Sequence, residues 1–302
     1  MLSFIIQKGE AEQTLISFLK KRFKTAPRTL LYKLLRTQKI KVNGENIRYY
    51  HYRLKKGEKI EIYDNYLKTT PASSIIYPLS HSKIYFQTIY EDKNILIALK
   101  EHGITMPSLD NAVRNYIFKQ NPIEYQKQQG EFFILTAVHR LDKLTKGLVI
   151  YPKNPPAKRI LYKAISDKSK ITKKYLAECE NFQNREVPVF IQGYLGKDSL
   201  GQKMVFSLTP YQKAKYCAME VKEIKREKSN HLVLFEITLQ TGRKHQIRSA
   251  LAYFGYPIVG DEKYGSKLVD KNKIGLVAYK ITFNELTAPL AYLNAKEFQI
   301  KV

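Results

Sequence analysis

Tryptophan is absent from this chain, cysteine occurs only twice, and acidic residues are scarce beside basic ones. Cys179 and Cys217 stand far apart with no C-x-x-C, which argues against a disulfide framework and against a zinc site. A reducing, cytoplasmic setting is expected. No stretch approaches the roughly 20 apolar residues that span a bilayer. The opening "MLSFIIQKGE" is apolar for only a few residues, short of a signal peptide's apolar core. Nucleotide signatures are missing too: "GYLGKDS" has a Gly-Lys pair without the spacing of a phosphate-binding loop, and no G-x-G-x-x-G follows a strand pattern. No membrane, metal or small-molecule cofactor is expected.

What is present in excess is positive charge. Fifty-two Lys and Arg against 27 Asp and Glu leave a net charge of +25 on 302 residues. A field of that sign attracts nucleic acid or an anionic membrane surface. A lysine-rich solvated surface would give the same count, but 22 Tyr and 14 Phe add rings able to stack on bases. With 44% hydrophobic residues the chain can bury a core large enough for one large domain and one small one.

Residues 1–65 read as the small domain. Leu15, Phe18, Leu19 and Phe23 fall at helical spacing, and Leu30, Leu31, Leu34 and Leu35 repeat the pattern after Pro27. "IKVNGENI" then turns at Asn43-Gly44, and Ile60 and Ile62 alternate after Gly57. This helix-helix-hairpin order resembles the small RNA-binding domain named after ribosomal protein four of the small subunit. That resemblance implies a basic helical face toward structured RNA, with Lys24, Arg28, Lys33 and Arg36 as phosphate contacts. Residues 66–82, rich in Pro, Ser and Thr, read as a linker.

Residues 83–302 form the large domain. "KIYFQTIYE", "NILIALK", "EFFILTAVH", "GLVIYP", "KKYLAECE", "HLVLFEITL" and "KIGLVAYKITF" are strand-like runs. "LDNAVRNYIFKQ", "PPAKRILYKAISD" and "RKHQIRSALAYFG" are helical patterns. Strands and helices do not alternate strictly, so the fold class is α+β, with a mixed, largely antiparallel sheet and flanking helices.

Three segments stand out within it. Asp142, in "AVHRLDKLTKGLVIYPKN", falls in a loop between a strand ending near Val138 and one starting at Gly147, where scaffolded catalytic residues are often held. Taken alone, such an Asp is more often a cap or turn residue. In "TGRKHQIRSALAYFGYPIVGDEKYG" a Thr-Gly turn leads into a helix expected to carry Arg243, Lys244, His245 and Arg248. Tyr175 lies on a strand in "TKKYLAE".

Together these segments resemble the RluA-type pseudouridine synthases, which isomerise uridine within RNA. "HRLDKLTKGL" is similar to the family's HRLDxxTSGL, and "TGRKHQIR" with "GYPIVGDEKYG" to its TGRxHQIR and GHPIxGDxxYG. "IYEDKNILIALKEHG" resembles its opening segment. The resemblance covers nearly the whole chain, with departures. Lys146 stands where the family has Ser; Leu99, Lys100 and Glu101 replace most of Asn-Lys-Pro; Ser249 and Ala250 replace Val-His; and Tyr256 replaces a His.

The family pattern implies catalysis by Asp142, Tyr175 and Arg248. An ionised carboxylate can serve as nucleophile or base, and a neighbouring cation favours that form. The target nucleotide must leave its stack at a cost of a few kcal/mol. Arg140 is expected to brace the space left behind, and Lys143, Lys146, Arg243 and Lys244 to meet phosphates. His139 and His245 are read as orienting or structural residues, and Ile258 as either a wall for the uracil or plain core. The resemblance implies a monomer that acts on ribosomal RNA of the large subunit. The alternatives are an inactive RNA-binding assembly factor of the same fold and a synthase directed at transfer RNA.

Overall fold

The computed structural model describes residues 1–7, 9–23, 26, 28–64, 86–120, 135–181, 186–211, 213–227, 231–268 and 270–301. The linker expected at 66–82 lies outside them. The described residues divide into two compact units, one within 1–64 and one from 86 onward.

In the first unit β1 (Leu2–Ile5), β2 (Ile40–Val42), β3 (Glu45–Asn46) and β4 (Lys59–Ile62) form an antiparallel sheet in the order β1-β4-β2-β3. Asn43 and Gly44 both take positive φ, 50° and 86°, which a tight hairpin between β2 and β3 requires. Helices α1 (Leu15–Arg22) and α2 (Arg28–Arg36) supply the apolar cover. Leu15, Phe18, Leu19, Leu31, Leu34 and Leu35 are buried with Ile40, Val42, Ile60 and Ile62. The helix-helix-hairpin expected from sequence thus gains a strand, β1, ahead of the helices. Its four residues are too few for a readable alternation, and only Leu2 and Phe4 pack against this core while Ile5 is exposed.

The second unit is built on a ten-stranded sheet. Its strands are β5 (Gln87–Glu91), β6 (Ile95–Lys100), β7 (Lys146–Pro152), β8 (Ile171–Glu180), β9 (Phe190–Lys197), β10 (Met204–Ser207), β11 (Lys215–Glu227), β12 (Leu232–Leu239), β13 (Leu276–Phe283) and β14 (Glu297–Gln299). They run in the order β10-β9-β11-β12-β8-β13-β7-β6-β5, with β14 paired to β13. The β13-β7 pair is parallel and every other pairing is antiparallel, as the α+β reading expects. Helices α3 (Met106–Gln120), α4 (Pro155–Ala164) and α5 (Gln246–Tyr253) flank it. Asn154 caps α4, its Oδ1 accepting the Ala157 N–H at 2.9 Å. Ala157 and Leu161 then bury against Leu148 and Ile150 of β7.

Two expectations change. Residues 135–138 of "EFFILTAVH" are loop rather than strand, and 131–134 lie outside the described residues. Leu135 and Val138 are nonetheless buried, so their apolarity serves the core without a ladder. Strands β9, β10, β11 and β14 went unread: β11, "KYCAMEVKEIKRE", mixes charge into the pattern, β9 is broken by Gly193 and Gly196, and β10 and β14 are too short to read. One glycine is needed for the topology. Gly147, at φ +141°, pairs with Ala278 across the parallel β7-β13 junction, where a Cβ would come 2.4 Å from the Ala278 oxygen.

Candidate active site

The loop before β7 is pinned from three sides. The Val138 N–H donates to the Ile150 carbonyl at 3.1 Å, and the Ile150 N–H donates to His139 Nε2 at 3.2 Å. Within the loop, the Thr145 N–H closes a turn on the Asp142 carbonyl at 3.1 Å. From the end of β6, the fully buried Lys100 ammonium donates to the carbonyls of Glu101, Ile104 and Lys143 at 3.0, 2.9 and 3.0 Å. Burial pushes Lys100 down to about 8, against the pull of Asp142 and Glu101. Next to it, His102 Nδ1 lies 2.6 Å from the Leu144 oxygen. A loop so held presents Asp142 in one orientation.

A second chain segment meets it there. After β12, Gln246 Oε1 accepts from the Thr241 hydroxyl and the Arg243 N–H, and His245 takes a left-handed conformation at φ 54°, ψ 22°. That kink ends the loop, so α5 starts at Gln246, and Arg243, Lys244 and His245 precede the helix rather than lie on it. Arg248, in the first turn of α5, then points inward. Its Nη1 donates to Asp142 Oδ2 at 3.2 Å, while Nε and Nη2 donate to Asp261 Oδ2 and Oδ1 at 2.7 and 2.8 Å. Arg248 and Asp261 are 5% and 1% exposed, so the bidentate pair is a fixed support. The Tyr264 ring lies against the guanidinium, 5.1 Å from centroid to Cζ, and its hydroxyl sits 2.8 Å from His245 Nδ1. Burial, opposed by Asp142 and reinforced by Arg248, Lys244 and Lys263, lowers His245 to about 4. The imidazole is therefore neutral at physiological pH, with Nε2 3.6 Å from Asp142 Oδ2.

Tyr175 completes the arrangement from β8, in register with Ala278 of β13. It is 5% exposed, and burial followed by the Asp142 charge raises its phenol, which stays protonated. Asp142, Tyr175 and Arg248 line one cavity of about 500 Å³, together with Arg140, Arg243 and Lys244. All three cations of that second group are exposed, although the Arg243 Nε–H also donates to the Tyr216 carbonyl at 3.0 Å. Most of the other expected residues lie elsewhere. Lys143 is exposed, outside the cavity lining. Lys146 pairs with Glu101 at 3.0 Å, so two departures from the family pattern form one ion pair. Ile258 is fully buried, bridged to Cys179, and does not line the cavity. His139 does line the cavity and is half-buried, its pKa well lowered by desolvation, then by Lys173 and Lys168. Lys33 and Arg36 are exposed on α2, while Lys24 and the Arg28 side chain lie outside the described residues.

Sequence reasoning missed Lys100, Asp261 and Tyr264. Asp261 and Tyr264 stand inside "GYPIVGDEKYG", where an acid after glycine reads as a turn. Their place in the segment that directly follows Arg248's helix was the available signal. Among the described residues no group of three or more His, Cys, Asp or Glu is placed to hold a metal, and no helix is long and apolar enough to cross a membrane.

Comparison with known proteins places the chain in a family. Residues 94–253 match the family model for RNA pseudouridylate synthase. An uncharacterized RNA pseudouridine synthase of Mycoplasma capricolum subsp. capricolum is 38% identical over 98% of this chain and 96% of its own. A ribosomal large subunit pseudouridine synthase C of Buchnera aphidicola subsp. Baizongia pistaciae is 31% identical over 95% of this chain and 93% of its own. Among solved structures, human RNA pseudouridylate synthase domain containing 1 shares the fold at a TM-score of 0.53 and 18% identity, covering 72% of this chain and 84% of its own.

Proposed function

The chain belongs to the RNA pseudouridine synthase family, and from that premise we propose that it isomerises specific uridines of large-subunit ribosomal RNA with Asp142 as the essential carboxylate. The observation that carries the assignment is the Asp142–Arg248–Asp261 chain at a cavity that also exposes Tyr175. Breaking the bond between C1′ and N1 leaves its electron pair on the uracil and an electron-poor anomeric carbon. Asp142 meets that carbon, or a proton beside it, as nucleophile or base. The ring turns, C5 gives an electron pair to C1′ and loses its proton, and N1 gains one. The reaction is an isomerisation, so atoms and electrons balance with no added donor or acceptor.

Arg248 orients Asp142, since Asp261 holds two of its N–H groups and leaves Nη1 for the catalytic acid. Tyr175 packs against the extruded base and helps move the C5 proton. Arg140, exposed at the cavity, braces the vacated stack. Lys143, Arg243 and Lys244 meet phosphates, and Lys146 joins them only by trading Glu101 for RNA. Support for the ribosomal target comes from relatives named ribosomal large subunit pseudouridine synthase C. Basic residues of the small domain, Lys24, Arg28, Lys33 and Arg36, suit the same partner.

The test is Asp142→Asn. It should abolish pseudouridine formation on ribosomal RNA and leave RNA affinity within a few-fold, because binding is spread over many cations. Continued turnover by this variant would remove Asp142 from the role. Mapping pseudouridines in cellular RNA with and without the protein checks the target, and sites confined to transfer RNA would overturn the ribosomal assignment.

A further inference from the structure

Two lysines are buried near the cavity, and they are treated differently by the fold. Lys100 is satisfied by three carbonyls. Lys173 lies on β8 two residues before Tyr175, on the same face of the strand, and lines the cavity at 7% exposure. Among the described residues its ammonium has no hydrogen-bond acceptor and no carboxylate. Its charged neighbour is Lys168, which also lines the cavity, and His139 of the same lining, which feels both lysines, has a buried Nδ1 without a partner. An ammonium with so little surface and no protein acceptor is poorly solvated, and burial accordingly drops Lys173 to about 8. A cost that the protein does not offset from within points to a partner brought by the ligand.

That partner must be an acceptor that gains negative charge inside the cavity. The reaction generates one: when the C1′–N1 bond breaks, its electron pair spreads over N1 and the two carbonyl oxygens of the uracil. Lys173 shares the cavity-facing side of β8 with Tyr175, about 7 Å along the strand from it, so a base packed against Tyr175 carries its carbonyl oxygens toward the Lys173 ammonium. We infer that Lys173 is a catalytic residue whose ammonium donates to a carbonyl oxygen of the departing uracil and stabilises the anion until C5 closes on C1′. The inference rests on the proposed site, and it assigns the leaving-group half of the chemistry that Asp142 and Arg248 leave uncovered. A preorganised donor of this kind acts where water is excluded.

The experiment compares Lys173→Met and Lys173→Arg with the parent on two target RNAs, one carrying uridine and one carrying 5-fluorouridine at the modified position. Fluorine withdraws electrons and makes the ring a better leaving group, so it needs less help. Under single turnover, Lys173→Met should consume the uridine RNA about a hundred- to a thousandfold more slowly, and the fluorinated RNA less than about tenfold more slowly. Lys173→Arg, still cationic, should recover part of the loss. RNA affinity should stay within about threefold, and the Met variant should melt no lower than the parent, because it removes an unpartnered buried charge. Equal losses on both RNAs would overturn the inference, as would a loss confined to affinity with a flatter salt slope, which marks a phosphate contact, or a fall in melting temperature, which marks a structural lysine. Asp142→Asn run beside them separates the two proposals: if it consumes either RNA the assigned acid fails, whatever Lys173 does.

Discussion

Replacing Asp261 by Asn should cost more stability than replacing Asp142 by Asn, although only Asp142 is assigned to the chemistry. Arg248 gives Asp261 two N–H groups at 2.7 and 2.8 Å and gives Asp142 one at 3.2 Å. Asp261 is 1% exposed, whereas the Asp142 side chain retains 16%. Removing one partner of a buried ion pair costs about 3–5 kcal/mol. Arg248 keeps Asp142 as a counter-charge in the Asp261→Asn variant, which places the expected loss near the lower end. About 3 kcal/mol corresponds to a fall of roughly 6–12 °C in melting temperature for a domain of this size. Asp142→Asn removes a single longer hydrogen bond next to water, with Asp261 still in place, and should cost about 1 kcal/mol. Thermal unfolding followed by circular dichroism measures both. Asp261→Asn should also slow turnover about a hundredfold, because an unanchored guanidinium lets the acid drift from its attack position. If Asp261→Asn melts closer to the parent than Asp142→Asn does, Asp261 is not the support of the site and the argument is wrong.

The remaining predictions address other parts of the molecule. Gly147→Ala should destabilise the catalytic unit by about 4 kcal/mol or more, because its methyl would meet the Ala278 oxygen at 2.4 Å; a variant that melts like the parent excludes that parallel junction. Urea unfolding should show stability falling with pH from 6.5 to about 4, where the unfolded chain takes up a proton that folded His245 refuses. His139 adds in the same direction, and His245→Gln should recover only its own part, an unchanged acid limb counting against the burial argument. Removing Lys33 and Arg36 together, both exposed on α2, should flatten the logarithmic salt slope of RNA binding by about 1 to 2, and an unaltered slope would take the small domain off the phosphates.

Much of this site could be read in advance because its chemistry is carried by short continuous segments. Asp142, Tyr175 and Arg248 each sit in a stretch whose residue types are unusual together, and the cavity brings all three to one place. The supporting residues were hidden for physical reasons. Lys100 ends an apolar strand, and a lysine there reads as a step into solvent, since unpaired lysines are almost never buried. It is buried only because three carbonyls from two loops converge on it, a convergence that depends on tertiary structure. His245 was placed on a helix by its position in "RKHQIR", yet its left-handed backbone starts the helix one residue later, a conformation for which histidine is several-fold enriched but rarely readable. Strand β11 escaped because charges interrupt its alternation, β9 because Gly193 and Gly196 break its apolar pattern and β10 because four residues are too few to read, whereas β6 and β7 were legible as near-continuous apolar runs. Ile258, which the sequence left open between a wall for the uracil and plain core, belongs to the core.

The burial of Lys100 also gives the protein a chemical clock. Amine-reactive reagents modify neutral amines, and a lysine lowered to about 8 would be among the most reactive of the chain if it were accessible. With no exposed surface and three carbonyls around it, it reacts only when one of the loops that cover it, residues 101–104 or 143–144, lifts away. The rate of its acylation, followed by peptide mass spectrometry, therefore measures the free energy of opening these two loops, one of which carries Asp142. Bound RNA that holds these loops shut would slow the labelling of Lys100 without touching it, giving an occupancy signal from a residue the ligand never contacts.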